Sequence, residues 1–357
     1  MQIISSTTQF HIEEPTAVAV GKFDGLHLGH RALLEKITAA GEHGLKAAVF
    51  TFDPSPGVFF QAQRSGEISR ENEIIQGGVK DRKDLYRELM TGDEKREAFR
   101  QMGIDYLVEY PFNEETAAVT PEDYVNLFLL RNMNARLIVA GEDVSFGYRG
   151  AGDAALLSRL VSEYNRTGQK KNEPGTVEGR QVETLIIPKI CWQEHQISST
   201  LVRDFVSKGE METAAKLLGT PYSISGVVEH GDHRGHSLGM PTANLYPAGE
   251  KLLPPNGVYF SEVLLFPQGE DASGQEERIL KGITNIGRKP TINGGAPQTG
   301  AETNLFDFDE DIYGRRIEVR LLHFHRPELR FNSLEELMAR MKEDAEKRKL
   351  FDEKMER

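Results

Sequence analysis

Two histidines, three glycines and an aspartate fall together in the run Gly21-Lys22-Phe23-Asp24-Gly25-Leu26-His27-Leu28-Gly29-His30. The run joins an apolar stretch, Ala17 to Val20, to a helical pattern beginning near Gly29, so the chain passes here from strand to helix. The first amides of a helix have no intrahelical partner and stand at the positive end of its dipole, which makes such a junction a place for phosphate. Gly21, Gly25 and Gly29 let the backbone approach an anion closely. His27 and His30 are spaced to reach one phosphate and to donate hydrogen bonds to oxygens that gain charge in a transition state. Such a site needs no base and no covalent nucleophile. The plainer reading is an ordinary strand-to-helix turn with His30 on the surface; the clustering favours the phosphate site.

Further along, Ser198, Ser199 and Thr200 precede a helical stretch that carries Arg203 in its first turn. These residues can cap the helix, and their hydroxyls and the guanidinium can equally hold an anion. The loop from Gly141 to Gly150 follows an apolar run ending at Ala140, so it opens on the same sheet edge as the histidine loop, and its Asp143 suits a nucleotide pocket. A separate constellation spans Gly231 to Asn244. Gly231, Arg234, Gly235 and Gly239 form a flap able to cover phosphates, and Thr242 and Asn244, two apart on one strand face, offer hard oxygen ligands for Mg2+. A glycine-rich hairpin turn is the alternative there. Glu302, an acid in a largely neutral strand, is either a solvated residue or a general base for a hydroxyl nucleophile. Arg326, with Glu328, Arg330 and Phe331, either binds ligand or ties the last strand to the terminal helix.

The elements that must position these groups read in two halves. From Thr16 to Trp192, strand-like runs near 17 to 21, 47 to 52, 104 to 110, 136 to 141 and 183 to 189 alternate with helical patterns, the rhythm of a parallel α/β sheet. Thr120, Pro121 and Asp123 mark one helix start, with an apolar stripe of Val125, Phe128 and Leu129. The segment Ile197 to Thr200 leads into a helical stretch that ends at Leu217-Leu218-Gly219, with Pro221 following as a stop. Beyond it the texture becomes β-type alternation, predicting a small antiparallel barrel or sandwich closed by a helix capped at Ser333 with Glu336. The boundary is placed near Thr220, giving domains 1–220 and 221–357; polar stretches at 61 to 83, 165 to 180 and 267 to 278 read as loops or insertions. A length of 357 residues fits two cores. The net charge of -12 argues against nucleic acid and anionic membrane as partners, and small anionic ligands fit better. No run spans a membrane, no signal peptide opens the chain, and the single cysteine, Cys191, allows no internal disulfide, so a soluble cytoplasmic protein is expected. Its oligomeric state is not implied.

Taken together these pieces resemble the bacterial bifunctional riboflavin kinase and FAD synthetase family, over Thr16 to Asp352. The resemblance rests on the Gly21 to His30 loop, Thr51 to Pro56, Gly141 to Asp153, Ile197 to Arg203, Gly226 to Leu245, Asn285-Ile286-Gly287 with Pro290-Thr291, Glu302 to Phe308, Tyr313-Gly314, and Arg326 to Leu337. It implies an α/β plus β architecture: a Rossmann-like nucleotidyltransferase domain that adenylylates FMN to FAD, then a β-barrel that phosphorylates riboflavin to FMN. ATP and Mg2+ serve both steps. By the same resemblance His27 and His30 stabilise the α-phosphate, and Ser198, Ser199, Thr200 and Arg203 hold the β and γ phosphates. Gly21, Phe23, Asp24, Gly25, Gly29 and Asp143 belong to the nucleotide pocket. Thr242 and Asn244 carry over as the Mg2+ site, Glu302 as the base, the Gly231 to Gly239 segment as the ATP flap, and Arg326 as a group near the flavin. The sequence departs from the family pattern at Lys22, where Asn is common, and at Val144 and Ser145, where Phe and Arg are frequent. Three other readings compete at this level: an enzyme with one live site, an active kinase beside a weakened adenylyltransferase; an adenylyltransferase or cytidylyltransferase for a different phosphorylated metabolite; and a non-catalytic flavin-binding or regulatory protein on the same fold.

Overall fold

The computed structural model describes residues 1–65, 87–168, 181–230, 242–267, 277–289 and 298–355. Their contacts group into two units, Met1–Ser199 and Thr200–Arg357.

In the first unit β1 (Gln2–Ser5), β2 (Thr16–Val20), β3 (Lys46–Asp53), β4 (Tyr106–Pro111), β5 (Ala135–Gly141) and β6 (Glu183–Ile187) form one parallel sheet in the order β1-β4-β3-β2-β5-β6. The strands β2 to β6 lie where the apolar runs placed them. The edge strand β1 was not expected, because its only apolar residues are Ile3 and Ile4 and no buried run announces it. β2 is covered on both faces, so its residues divide by parity. Val18 and Val20 join a core with Phe50, Tyr110 and Leu129, while Ala17 and Ala19 join another with Phe23, Leu34 and Phe99.

The helices α1 (Leu28–Ala39), α2 (Pro56–Ser65), α3 (Gly92–Gln101), α4 (Pro121–Asp123) and α5 (Ala154–Gly168) connect these strands, and β7 (Cys191–Trp192) pairs with β8 (His195–Gln196) as a short hairpin. At α4 the Thr120 hydroxyl accepts from the Asp123 amide at 3.0 Å, as the capping signal requires. The helix then widens to a π-helix over Tyr124–Asn132, a departure the composition did not signal, with Val125, Phe128 and Leu129 buried as expected. The polar stretches at 61 to 83 and 165 to 180 begin as the last turns of α2 and α5, and most of each lies outside the described residues.

The second unit starts with two helices, α6 (Ser199–Lys208) and α7 (Met211–Leu218), where a single helical stretch was expected. Gly209 separates them at φ +78°, a left-handed turn that a β-carbon disfavours. α7 packs against the strands that follow it, so this helical pair goes with the second unit in its contacts.

The strands β9 (Tyr222–Val227), β10 (Thr242–Leu245), β11 (Gly257–Leu265), β12 (Arg278–Lys289), β13 (Gln298–Leu305) and β14 (Arg316–Arg326) form an antiparallel sheet in the order β10-β13-β12-β11-β14-β9. The sheet curls until its edges meet at a bridge between Glu229 and Asn244, whose carbonyl accepts from the Glu229 amide at 2.9 Å. Among the described residues its interior holds Ile224, Tyr259, Val263, Ile286 and Val319 together with three fully buried hydroxyls that satisfy one another. Thr284 Oγ1 lies 2.7 Å from Ser261 Oγ and 2.8 Å from Thr303 Oγ1.

The terminal helix α8 (Leu334–Met355) is capped at Ser333, whose hydroxyl accepts from the Glu336 amide at 3.2 Å. It covers part of the outer barrel surface. Phe351 packs on Phe260 at 5.4 Å between ring centres, and the buried Arg348 donates to the carbonyls of Ser261 and Gly282.

Candidate functional site

In the first unit the sheet order reverses direction at β2, with β3 on one side and β5 on the other, so the loops after β2 and β5 open at the same crevice. The first is the glycine-histidine loop. Phe23, Gly25 and Leu26 take positive φ, folding the loop back so that His27 becomes the N-cap of α1. Its Nδ1 accepts from the His30 amide at 3.4 Å, which leaves Nε2 to carry the ring proton. The two imidazoles stack at 3.7 Å between centres. A β-carbon on Gly29 would stand 3.1 Å from the His27 ring, so glycine there makes room for this fold-back.

Burial lowers the pKa of His27 to about 4 against a weaker opposing pull from Asp143. Burial also lowers His30, and the neighbouring His27 pushes in the same direction. Both shifts favour the neutral imidazole, which can donate a hydrogen bond through one ring nitrogen without carrying a charge. Among the described residues, the buried Nδ1 of His30 has no hydrogen-bond partner, so it could exchange a hydrogen bond with a ligand.

Other residues of this loop hold its shape. Phe23 is fully buried and packs its ring against His30 and Phe99. Gly21 faces that ring, with room for a β-carbon only 3.2 Å from it. Asp24 is buried, and its Oδ1 accepts from the amides of Leu89 (2.8 Å) and Met90 (3.2 Å), tying the loop to the segment before α3. Its carbonyl accepts from the hydroxyl of Ser199, the last residue of the first unit, at 2.8 Å. Ser198 is half-buried beside it, with Thr200 exposed and Arg203 part-buried on the first turn of α6. After β5, Asp143 accepts from Gln196 Nε2 at 2.6 Å and lies against Gly141, where a β-carbon would meet Oδ1 at 2.9 Å.

In the second unit the ladder register assembles the site. Asn244 on β10 pairs directly with Glu302 on β13, and Glu302 pairs directly with Asn285 on β12. Thr242, two residues before Asn244, shares its face, opposite Asn304. Directly paired residues have β-carbons about 4.5–5.5 Å apart, so a hydroxyl, two amides and a carboxylate form one polar row on the outer barrel face. Gly231, Arg234, Gly235 and Gly239 lie outside the described residues.

Arg326, at the end of β14, points its guanidinium into α8. Nε and Nη2 bond both oxygens of the buried Asp344, at 3.0 Å and 2.7 Å to Oδ2, with His325 Nε2 3.0 Å from Oδ1. This is the tie between last strand and terminal helix. Beyond it Glu328 turns back over β12, where its carboxylate accepts from Asn285 Nδ2 (3.3 Å) and Asn256 Nδ2 (3.4 Å). Asn256 and the amides of Leu89 and Met90 had no signal in the sequence, since each is recruited by a residue distant along the chain.

Thr242 and Asn244 supply hydroxyl and amide oxygens, hard donors of the kind Mg2+ takes when substrate phosphates and water complete its shell, and Glu302 sets a carboxylate beside them. Among the described residues there is no cluster of three or more His, Cys, Asp or Glu that could cage a metal, and no helix is long and apolar enough to cross a membrane.

Two family patterns match in tandem: FAD synthetase over residues 9–201 and flavokinase, described as riboflavin kinase, over 218–351. The chain is 31% identical to the bifunctional riboflavin kinase/FMN adenylyltransferase of Bacillus subtilis (strain 168), covering 96% of each chain. It is also 31% identical to the protein of that name from Escherichia coli (strain K12), over 93% of this chain and 91% of that one. A solved structure described as a macrolide-efflux protein from Streptococcus pneumoniae superposes with a TM-score of 0.70 at 26% identity, covering 97% of both chains. With both halves matched in order and nearly the full length of its relatives spanned, the chain belongs to the family of bifunctional riboflavin kinase/FMN adenylyltransferases.

Proposed function

We propose that the chain makes both flavin cofactors in succession, phosphorylating riboflavin in its second domain and adenylylating the resulting FMN in its first, with the functional boundary near Thr220. The observation that supports this reading is the direct pairing of Asn244 with Glu302, which brings a carboxylate to the side-chain oxygens of Asn244 and Thr242.

In the kinase step the terminal ribityl hydroxyl of riboflavin attacks the γ-phosphorus of ATP. The bond to the β,γ-bridging oxygen breaks, ADP leaves, and Glu302 accepts the hydroxyl proton. Thr242 and Asn244 would hold Mg2+, which would neutralise phosphate charge there. The Gly231 to Gly239 segment, with Arg234, covers the phosphates, and Arg326 acts near the flavin by holding the turn that follows β14.

In the transferase step an FMN phosphate oxygen attacks the α-phosphorus of ATP and pyrophosphate leaves with the bridging oxygen. His27, through its Nε2 proton, and His30, through its unpartnered Nδ1, are poised to bond oxygens of the α-phosphate. Neutral imidazoles suit this role because they stabilise charge by hydrogen bonding without transferring a proton. Gly21, Gly25 and Gly29 shape the loop, Phe23 and Asp24 brace it, Asp143 borders the nucleotide, and Ser198, Ser199, Thr200 and Arg203 hold the β and γ phosphates. Use of ATP and flavins fits a cytoplasmic location.

The test is incubation of the purified chain with riboflavin and Mg-ATP, with riboflavin, FMN and FAD separated chromatographically over time. FMN followed by FAD is expected. No conversion of riboflavin, or of FMN supplied directly, overturns the corresponding half of the reading.

A further inference from the structure

Glu328 is exposed, yet the fold makes a place for it. A β-carbon on Gly287 would stand 2.2 Å from its Oε1 and 3.1 Å from its Cδ, so the carboxylate rests on the bare backbone of β12. Gly287 and Asn285 share that face of the strand, and Asn285 Nδ2 donates to the same Oε1 at 3.3 Å. Asn256 Nδ2 holds the other oxygen at 3.4 Å, and the Arg326–Asp344 pair fixes the start of the turn. Long, exposed bonds of this kind contribute little to stability, so the arrangement needs another reason.

Asn285 supplies it, because its direct ladder partner is Glu302. An asparagine amide has two flips. With Nδ2 turned to Glu328, the corner left over is Oδ1, an acceptor beside the acceptor carboxylate of Glu302. With the amide reversed, Nδ2 could donate to Glu302 and occupy a lone pair that the base needs.

We propose that Glu328 is a positioning residue of the flavin-phosphorylating site, holding the Asn285 amide in the flip that presents Oδ1 beside Glu302. The resulting pair of acceptors fits a ligand that brings hydroxyl donors in series, the polyhydroxylated side chain of the flavin. The inference rests on the kinase reading of Glu302 given above.

Two substitutions disturb the flip by different routes. Glu328→Gln replaces an obligate acceptor with an amide that can donate or accept. Gly287→Ala keeps the glutamate but puts a methyl where its carboxylate lies, and the atoms it meets are the ends of flexible side chains, so the barrel is spared. Both variants of the full chain are expected to raise the KM for riboflavin roughly five- to tenfold, the effect of one hydrogen bond. The KM for Mg-ATP and the thermal midpoint stay unchanged. Riboflavin affinity, read independently by quenching of flavin fluorescence, weakens by the same factor. With a flavin whose side chain keeps only the terminal hydroxyl, variants and parent converge. An unchanged riboflavin KM in active variants overturns the inference alone, as does a parallel shift in the Mg-ATP KM and thermal midpoint, which marks a merely structural role. Absence of riboflavin phosphorylation in the unsubstituted chain overturns it together with the kinase reading.

Discussion

Replacing His27 with Gln makes the first unit less sensitive to mild acid. In the folded chain burial holds the His27 pKa at about 4, against 6.5 for the unconstrained side chain. Between those values the unfolded chain binds a proton that the folded chain refuses, so stability falls as pH drops below 6.5, and the loss is complete below about 4. At 1.36 kcal/mol per pH unit the full loss is about 3 kcal/mol, and about 2 kcal/mol of it is already present near pH 5. Trp192, the only tryptophan of the chain, lies in β7 of the same unit, so its fluorescence during urea unfolding reads that unit. Measured at pH 7 and pH 5, the parent should lose about 2 kcal/mol more than His27→Gln on acidification. The comparison between pH values cancels the cost of altering the helix cap, which both conditions share. Equal losses in parent and variant would show that His27 titrates normally and that the neutral-donor account of the histidine pair is wrong.

Three other outcomes follow from the geometry. Glu302→Gln should abolish conversion of riboflavin to FMN while FMN supplied directly is still turned into FAD; loss of both conversions would refute separate sites. Asp24→Ala leaves the Leu89 and Met90 amides without their acceptor and should cost the first unit about 1–3 kcal/mol by Trp192 fluorescence, whereas Asp24→Asn, which keeps an acceptor oxygen, should cost less. Asp344→Ala removes the buried carboxylate that pairs with the part-buried Arg326 guanidinium and should destabilise the second unit by about 1–3 kcal/mol in urea unfolding followed by circular dichroism, and a loss under about 1 kcal/mol would mean solvent already screens the pair, since ordinary exposed pairs are worth about that much.

The elements that could be read from the sequence are those whose signal is local. A buried strand announces itself as an apolar run, as β2 to β5 do, and a helix start needs only a hydroxyl three residues from an amide, as at Thr120 and Ser333. The edge strand β1 and the π-helix after Asp123 escaped because neither depends on local pattern: one is a strand only by pairing with β4, the other a helix shifted by a single hydrogen-bond step. The break at Gly209 was missed because a lone glycine within an otherwise helical pattern is compatible with either outcome.

The sequence by itself determined which chemistry was at hand: glycines and histidines where a strand becomes a helix, and a threonine, an asparagine and a glutamate on strands. The tertiary structure alone decided how those groups are held. Burial lowered the pKa of both histidines, Asp24 turned its carboxylate to amides 65 and 66 residues away, and ladder register set Asn244 against Glu302 and Glu302 against Asn285. Residue type and spacing fix what a side chain can donate or accept, but desolvation and the choice of partner are set only when distant segments pack together.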